Sequence, residues 1–283
     1  MRFRRVFPVS STKGDSKMAE DSQEQSTPDY ALGYSRSVNQ LMSRRKAATH
    51  AGYLLRHLKA GMRVLDVGCG PGIISLGLAE AIAPGELYGI DMEQSQVDLA
   101  IEAARQGGHD NAHFQVGDAL KLPFPENYFH AVHYHTVLIH IPDTAAALAE
   151  ARRVLKPGGI LASRDMMGDS LTFVEPDIGR MGEIVPGMLK LIADSGGHPQ
   201  MGWDQGARFS EAGFIEIESQ ASFESFGSPE EVELFAQVFG ETFAQKISTP
   251  QQLDQFRKDV AEWKSHPGAF AAFAMAETIG RKE

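Results

Sequence analysis

Three glycines at alternate positions, directly after a run of strand-forming residues, constrain this chain more than any other feature. Residues 64 to 72 read Val64-Leu65-Asp66-Val67-Gly68-Cys69-Gly70-Pro71-Gly72. Val64, Leu65 and Val67 favour a strand, and Ile73, Leu76 and Ala79 follow at helical spacing, so the glycines form the tight turn between a strand and a helix. Glycine suits such a turn because it adopts positive φ and has no side chain to hold a ligand off the backbone. The spacing is G-x-G-x-G, whereas dinucleotide sites use G-x-G-x-x-G and admit a pyrophosphate. A nucleoside ligand without phosphates is therefore expected. Taken alone, the turn reads equally well as purely structural; its surroundings decide.

Glu86 to Asp91 reads as a second strand ending in an acid about 20 residues past the glycines, where Rossmann-like folds bind ribose hydroxyls. Asp91 is the ribose candidate. Phe114 to Ala119 ends a third strand at Asp118, placed to reach an adenine amino group. Ala131 to Ile141 forms a fourth, apolar strand region, and Leu155-Lys156-Pro157-Gly158-Gly159 turns into a fifth strand, Ile160 to Asp165.

The segments VLDVGCGPG, GID, GDALKLPF and RVLKPGGILAS resemble those of class I S-adenosylmethionine-dependent methyltransferases, and among these the small-molecule group that includes the ubiquinone and menaquinone C-methyltransferases. The resemblance covers residues 30 to 165 closely and the remainder loosely; it specifies the cofactor and leaves the acceptor open. It implies an α/β fold, with a Rossmann-like seven-stranded, mostly parallel sheet, helices on both faces and a partly helical cap. It implies S-adenosyl-L-methionine as cofactor. The backbone of Gly68 and Gly70, in a cradle that includes Cys69 and Gly72, is expected beside the methionine moiety, with Asp66 near its ammonium. Asp91 is expected to accept both ribose hydroxyls, Met92 to lie against adenine, and Asp118 with the Ala119 amide to read the adenine edge. The backbone at His135 is the usual partner of the ammonium. Tyr30 or Tyr34 either contacts the methionine end or packs the lid.

Composition narrows the function. At 283 residues and 42% apolar content the chain suits one domain with a cap. A formal charge of -10 leaves no extended basic field for nucleic-acid phosphates, so the expected partners are a small-molecule substrate and, at most, a second copy of the chain. Cys69 is the only cysteine, which excludes an internal disulfide and a thiol-rich metal site and fits a reducing compartment. Its place between glycines invites a nucleophilic reading, but a small residue is what the turn tolerates and no base lies beside it in sequence. No run of about 18 apolar residues predicts a membrane-spanning helix.

Residues 1–27, rich in Ser, Gln, Glu and Lys after Arg2, Arg4 and Arg5, read as a disordered tail. Asp15, Glu20, Asp21 and Glu24 break the acid-poor pattern of import signals, so a cytoplasmic protein is expected over an imported one. Met18 is an alternative translation start. Residues 28–60 read as lid helices, with Leu41, Ala48, Tyr53, Leu54 and Leu58 at helical intervals. Residues 62–165 form the cofactor-binding core, where strands and helices alternate as in a parallel sheet covered on both faces. The helix Glu93–Gln106 puts Val97, Ala100, Ile101 and Ala104 on one stripe. Asp143 or Thr144 caps a helix whose Ala147, Leu148, Ala151, Val154 and Leu155 face the sheet.

Residues 166–208 form a cap insertion with a helix from Ile184 to Asp194. Its Met166, Met167, Phe173, Met181, Met188, Leu189 and Ile192 either line a flexible apolar pocket or pack the cap onto the core. Residues 209–283 carry a turn at Phe209–Phe214, a strand from Phe214 to about residue 223, and helices opened by Ser228-Pro229 and by Pro250. Ala269–Gly280 is read as the last antiparallel strand by family precedent, although its alanines also suit a helix.

A general base is harder to assign. His130, His133, His135 and His140 cluster around the fourth strand, and imidazole suits proton abstraction near neutrality. Residues 133 and 135 share a strand face and 130 does not. His135 and His140 lie nearest the ligand end and are the candidate catalytic residues, each readable also as structural or substrate-orienting. An acidic carbon or phenol acceptor needs no base at all. No metal is expected, since the histidines lack zinc spacing and no magnesium-binding acid set is present. The N-P-P-Y signature of amide or base methylation is absent, which leaves small organic acceptors. The expected reaction is methyl transfer to a small, largely apolar metabolite, at carbon or oxygen rather than nitrogen. Two other readings stand beside it: a rearrangement or cyclisation that leaves the cofactor intact, and a non-catalytic partner with a vestigial cofactor fold. A nicotinamide oxidoreductase would need the G-x-G-x-x-G spacing.

Overall fold

The apolar runs pair side by side at the middle of one sheet. A computed structural model describes residues 33–168 and 171–283; the expected tail at 1–27 and Tyr30 lie outside the described residues. Strands β1 (Arg63–Val67), β2 (Glu86–Asp91), β3 (Ala112–Val116), β4 (Phe129–His135) and β5 (Leu155–Met166) are parallel, in the order β3-β2-β1-β4-β5. Three more follow: β6 (Thr172–Glu175), β7 (Phe214–Phe226) and β8 (Phe270–Lys282). β8 runs antiparallel to β5, and β7 runs antiparallel along the other edge of β8.

The sheet has eight strands rather than the seven expected. β8 is 13 residues long, and β5 pairs only with Met275 to Arg281. Its remaining edge, Phe270 to Phe273, would leave backbone groups unpaired, and β6 fills it. The alanine-rich segment is thus a strand, as family precedent indicated. It lies between two partners, where small side chains pack beneath larger neighbours.

Alternation along each strand decides which layer a side chain meets. Val64, Leu87, Ala131 and Ala162 pack under α2 (Ala47–His50), α3 (Gly52–Leu55) and α4 (Ile73–Ile82). Leu65, Val67, Val132, Tyr134 and Leu161 face the opposite way, onto α6 (Thr144–Val154), whose Asp143 N-cap accepts the Ala146 N–H. Ala147, Leu148, Ala151 and Val154 of α6 are buried as expected, and Leu155, also buried, opens β5 rather than ending the helix. In α5 (Gln94–Gly107), Val97, Ala100 and Ala104 are buried, but Ile101 is 47% exposed. The correction is geometric: one residue past Ala100 turns a side chain about 100° off the buried stripe.

The lid helices expected over residues 28–60 appear as α1 (Arg36–Ser43), α2 and α3. In the cap, α7 (Ile184–Asp194) is helical as expected, and α8 (Met201–Glu211) carries Phe209, which the sequence had placed in a turn. Met181, Met188, Leu189 and Ile192 are buried, whereas Phe173 stands on the outer face of β6 at 45% exposure. α9 (Pro229–Phe235) and α11 (Pro250–Ser265) each open on a capping box with proline in the first turn, and α10 (Ala244–Ile247) lies between them. A π-helical segment, Ala236–Phe243, precedes α10.

Two backbone features prepare the site. Gly72 has φ of +80°, and a Cβ there would lie 2.8 Å from the Ala100 Cβ and 3.1 Å from its Cα, so α5 packs directly on the turn. Thr136, just beyond β4, is held at φ of +53°, a left-handed conformation that a β-branched residue disfavours. Gly72→Ala combines the left-handed penalty with overpacking and is expected to cost about 2 to 4 kcal/mol. Urea unfolding checks this; a midpoint equal to that of the parent would show that α5 yields at no cost.

Candidate functional site

The N–H groups of the glycine turn are used inside the protein. The Ile90 carbonyl accepts those of Gly68 (2.8 Å) and Cys69 (2.9 Å), and Asp91 Oδ2 accepts that of Gly70 (2.9 Å). Phosphate-binding turns present such donors to their ligand. This turn spends its donors on the Ile90 carbonyl and on Asp91, which suits a ligand that lacks phosphates.

Beside the turn lies a cavity of about 330 Å³, lined by Met42, Arg45, Asp66, Gly68, Gly70 and His135 among others. Asp66 Oδ2 accepts from the Ser75 hydroxyl, and Oδ1 lies 2.8 Å from His133 Nδ1. Val137 fills the space that a Cβ on Gly68 would need, coming within 2.4 Å of it, while Gly70 faces the Met42 sulfur of α1. Gln96, fully buried, donates to Asn39 of α1 and so helps fasten the lid; its Oε1 is buried without a partner and lies near Gly70. Cys69 also lines the cavity, but burial and the charges of Asp66 and Asp91 push its thiol well up, which makes it a poor nucleophile.

Asp91, Met92, Asp118 and Ala119 line neither this cavity nor the larger one. Asp91 Oδ1 accepts the Glu93 N–H (3.0 Å); burial raises the carboxyl above its ordinary range, against the pull of the hydrogen bonds from Glu93 and Gly70. Met92 is 51% exposed. Asp118 is exposed and accepts the Leu120 N–H, with Ala119 half-buried beside it. Tyr34 precedes α1, half-buried, and lines neither this cavity nor the next one.

A second cavity, of about 540 Å³, adjoins the first. Ile139, Met166, Met188, Phe226, Phe239 and Met275 supply apolar wall, and Arg45, Thr136, His140 and Glu224 supply the polar groups. Met166, Met188 and Ile192 thus line a pocket, whereas Met181 and Leu189 belong to the packed core. Arg45 lines both cavities and donates to Thr136 Oγ1 (3.3 Å). Burial, aided by Arg45, pushes His140 down to about 4, so its ring is neutral at pH 7.

The four histidines separate. His130 is tied to the Arg63 N–H and Lys156 at the far end of β4, and His133 is buried against Asp66. His135 lines the first cavity and His140 the second. The sequence reading missed Arg44, Arg45, His50, Arg164, Glu224 and Glu277. Arg164, only 2% exposed, donates to His135 Nε2, Glu224 Oε2 (3.2 Å each) and Glu277 Oε1 (3.3 Å). Glu224 also accepts from Arg44 and pairs with His50. Burial raises this carboxyl, but the His50 hydrogen bond and the charges of Arg45 and Arg164 outweigh it and hold it well below the usual range. One signal was available: Arg164-Asp165 interrupts an otherwise apolar strand, and a charge there is rarely buried without a partner.

A sequence model described as a methyltransferase domain matches residues 58–184. An uncharacterized methyltransferase from Schizosaccharomyces pombe is 38% identical over 142 residues, 48% of this chain and 51% of that one, so the chain spans about half the length of this relative. A demethylmenaquinone methyltransferase from Geobacillus kaustophilus is 32% identical over 176 residues, 57% of this chain and 74% of that one. The chain belongs to the S-adenosylmethionine-dependent methyltransferases. The fold agrees: the YcgJ protein from Bacillus subtilis superposes with a TM-score of 0.58 at 21% identity, covering 82% of this chain and 97% of that one.

The residues of this methyltransferase fit the family's cofactor. Asp66 and Arg45 in one cavity carry charges that complement the ammonium and carboxylate of an amino-acid head, and since both Asp66 oxygens already have partners, the unpartnered Gln96 Oε1 is the acceptor left beside the turn. Among the described residues no cluster of acids, histidines or cysteines is arranged to hold a metal, and no helix is long and apolar enough to cross a membrane.

Two buried titrations of the methyltransferase run in opposite directions. His140 is depressed to about 4, so below about pH 6.5 the unfolded chain takes a proton that the folded chain refuses, and stability is lost on acidification. Asp165, whose Oδ1 accepts the Ile139 N–H, is pushed up to about 7 by burial; its protonated form favours the fold, and that stability is lost as pH rises through 7. Relative to wild type, His140→Asn should therefore lose about 1 kcal/mol less between pH 7 and 5.5, and Asp165→Asn about 1 to 2 kcal/mol less between pH 5.5 and 8. Urea midpoints across pH check both signs.

Proposed function

We propose that the protein transfers the methyl group of S-adenosylmethionine to carbon or oxygen of a small, largely apolar molecule held in the larger cavity. The observation that carries this reading is the shared wall: Arg45 lines both cavities, so a ligand beside the glycine turn and one in the apolar pocket meet across a single side chain. The Geobacillus relative is named for demethylmenaquinone, which supports an organic acceptor. Among the described residues Glu224 is the only carboxylate lining the larger cavity, and Arg44, His50 and Arg164 already pair with its oxygens, so none of those residues offers a free acid to a cationic amine. That favours carbon or oxygen over nitrogen.

When bound, the cofactor supplies an electrophilic methyl group on a sulfonium. Gln96 Oε1 and Arg45 would hold its amino-acid head, with Asp66 nearby, Asp91 its ribose, and Met92, Asp118 and Ala119 its adenine. Apolar side chains of the larger cavity exclude water and fix the acceptor; holding reacting atoms in line at about 3 to 3.5 Å is worth roughly 7 to 11 kcal/mol of barrier. His140, neutral and facing that cavity, can accept the acceptor's proton. His135 has one ring nitrogen on Arg164 and the other 3.2 Å from Thr136 Oγ1, an arrangement that supports the wall rather than a proton transfer.

Incubation with methyl-labelled S-adenosylmethionine and a panel of apolar phenols and enols should yield S-adenosylhomocysteine and labelled product together; a product formed without S-adenosylhomocysteine would overturn methyl transfer. Asp91→Ala should weaken S-adenosylhomocysteine binding by about 1.5 to 3 kcal/mol, the scale of lost charge-assisted hydrogen bonds. Met188→Trp should lower kcat/KM for the acceptor at least tenfold while leaving S-adenosylhomocysteine affinity within about twofold. Equal loss of both, seen by calorimetric titration, would place the acceptor elsewhere.

A further inference from the structure

Five side chains form a polar chain along the wall between the two cavities. Glu224 Oε2 accepts from Arg164 Nη1 (3.2 Å), the same nitrogen donates to His135 Nε2 (3.2 Å), His135 Nδ1 lies 3.2 Å from Thr136 Oγ1, and Thr136 Oγ1 accepts from Arg45 Nη1 (3.3 Å). Glu224, His135, Thr136 and Arg45 each line a cavity; Arg164 lines neither. We propose that Arg164 is a positioning residue that fixes the shared wall, presenting His135 to the cofactor with its proton on Nδ1 while anchoring Glu224, and through it the lid helices, over the acceptor cavity.

The chemistry follows from the donor inventory. A guanidinium has only N–H donors, so the His135 nitrogen it meets must be a lone pair, and the ring proton must sit on Nδ1. That tautomer lets Nδ1–H donate to Thr136, which leaves the Thr136 hydroxyl hydrogen free to donate to the His135 carbonyl, 2.7 Å away. On the other side, Glu224 receives Arg164 from the sheet and both Arg44 and His50 from the lid. One guanidinium nitrogen therefore sets the proton position on the cofactor side and the lid's anchor on the acceptor side. Lysine cannot replace it, because its donors radiate from a single point.

The groups facing His135 come from every neighbouring element: Arg45 and His50 from the lid, His133 from β4, Arg164 from β5, Glu224 from β7, and Glu277, through Arg164, from β8. Burial first, then the cations Arg45 and Arg164, keep the ring from taking a second proton. With Arg164 removed, Glu277 loses its cation, Glu224 keeps only Arg44 and His50, and His135 loses one of the cations that oppose its protonation. A protonated His135 would repel the cationic end of S-adenosylmethionine.

This inference rests on the cofactor placement proposed above, and its test has a readout independent of catalysis. In wild-type protein labelled with ¹⁵N-histidine, long-range proton–nitrogen spectra, with the His135 signal assigned by its loss in His135→Gln, should show Nδ1 protonated and no titration between pH 5.5 and 8. The dissociation constant for S-adenosylmethionine should then vary less than about threefold over that range in wild type, rise at least about tenfold on acidification in Arg164→Gln, and change by an intermediate factor in Arg164→Lys. A proton on Nε2, a His135 that titrates near its ordinary value, or variants that melt cooperatively yet keep the wild-type pH profile would overturn the assignment. Should Arg164→Gln not fold, the wild-type spectrum and the lysine variant decide. Absence of any cofactor affinity in wild type would instead sink the proposed function, with the tautomer spectrum still reporting on Arg164.

Discussion

The site is held together by one buried carboxylate. Glu224, at 5% exposure, receives Arg44 and His50 from the lid and Arg164 from the sheet, so it is the point at which the N-terminal helices are fastened to the strands. Burying a charge is costly unless partners surround it, and breaking such a set by removing one member typically costs about 3 to 5 kcal/mol. The guanidiniums make the acid's burial tolerable, and the acid in turn gives two guanidiniums and an imidazole a common target. Arg44, just past α1, also reaches the Ser225 carbonyl of β7 and Glu231 of α9, so this convergence ties the end of α1, with Met42 over the glycine turn and Arg45 at the shared wall, to the sheet.

Around this anchor, the two regions proposed to hold the cofactor differ. The region proposed for the amino-acid head lies by α1, with Gln96 and Asn39 joined beside it. In the region proposed for the nucleoside, Met92 and Asp118 are exposed and Asp91 is buried. Electrostatics differ too: paired, buried charges surround the region where chemistry is proposed, and acids without a cationic partner among those described, Asp91 and Asp118, mark the region where recognition is proposed. The π-helical segment Ala236–Phe243 contributes Phe239 to the acceptor wall, a placement in keeping with the tendency of such segments to occur near functional sites.

Local sequence signals carried the architecture well and the polar wall poorly. The glycine turn, the strand-end acids and the Ser228 and Thr249 capping boxes depend on neighbours a few residues apart, so spacing alone reveals them. Ile101 was misplaced because helical periodicity does not say how wide the buried stripe is. β6 could not be read, because its reason to exist is the unpaired length of a strand about a hundred residues later. The same holds for the wall: Arg44 meets Glu224 across 180 residues and Arg164 meets Glu277 across 113, distances at which no spacing rule operates. His135 and His140 were found as residues, but which nitrogen carries a proton depends on those distant partners.

Thr136 shows how little latitude such a wall leaves. Its left-handed backbone is a conformation that glycine, asparagine or aspartate adopts more readily, at a saving of about 1 to 3 kcal/mol over a strained β-branched residue. Glycine would relax the backbone but delete the hydroxyl that receives Arg45, while valine or isoleucine would keep the strain and delete it too. The permissible alphabet at this position therefore shrinks to short side chains bearing an oxygen, and a chain carrying anything else there would have to rebuild the partition between its two chambers from different parts.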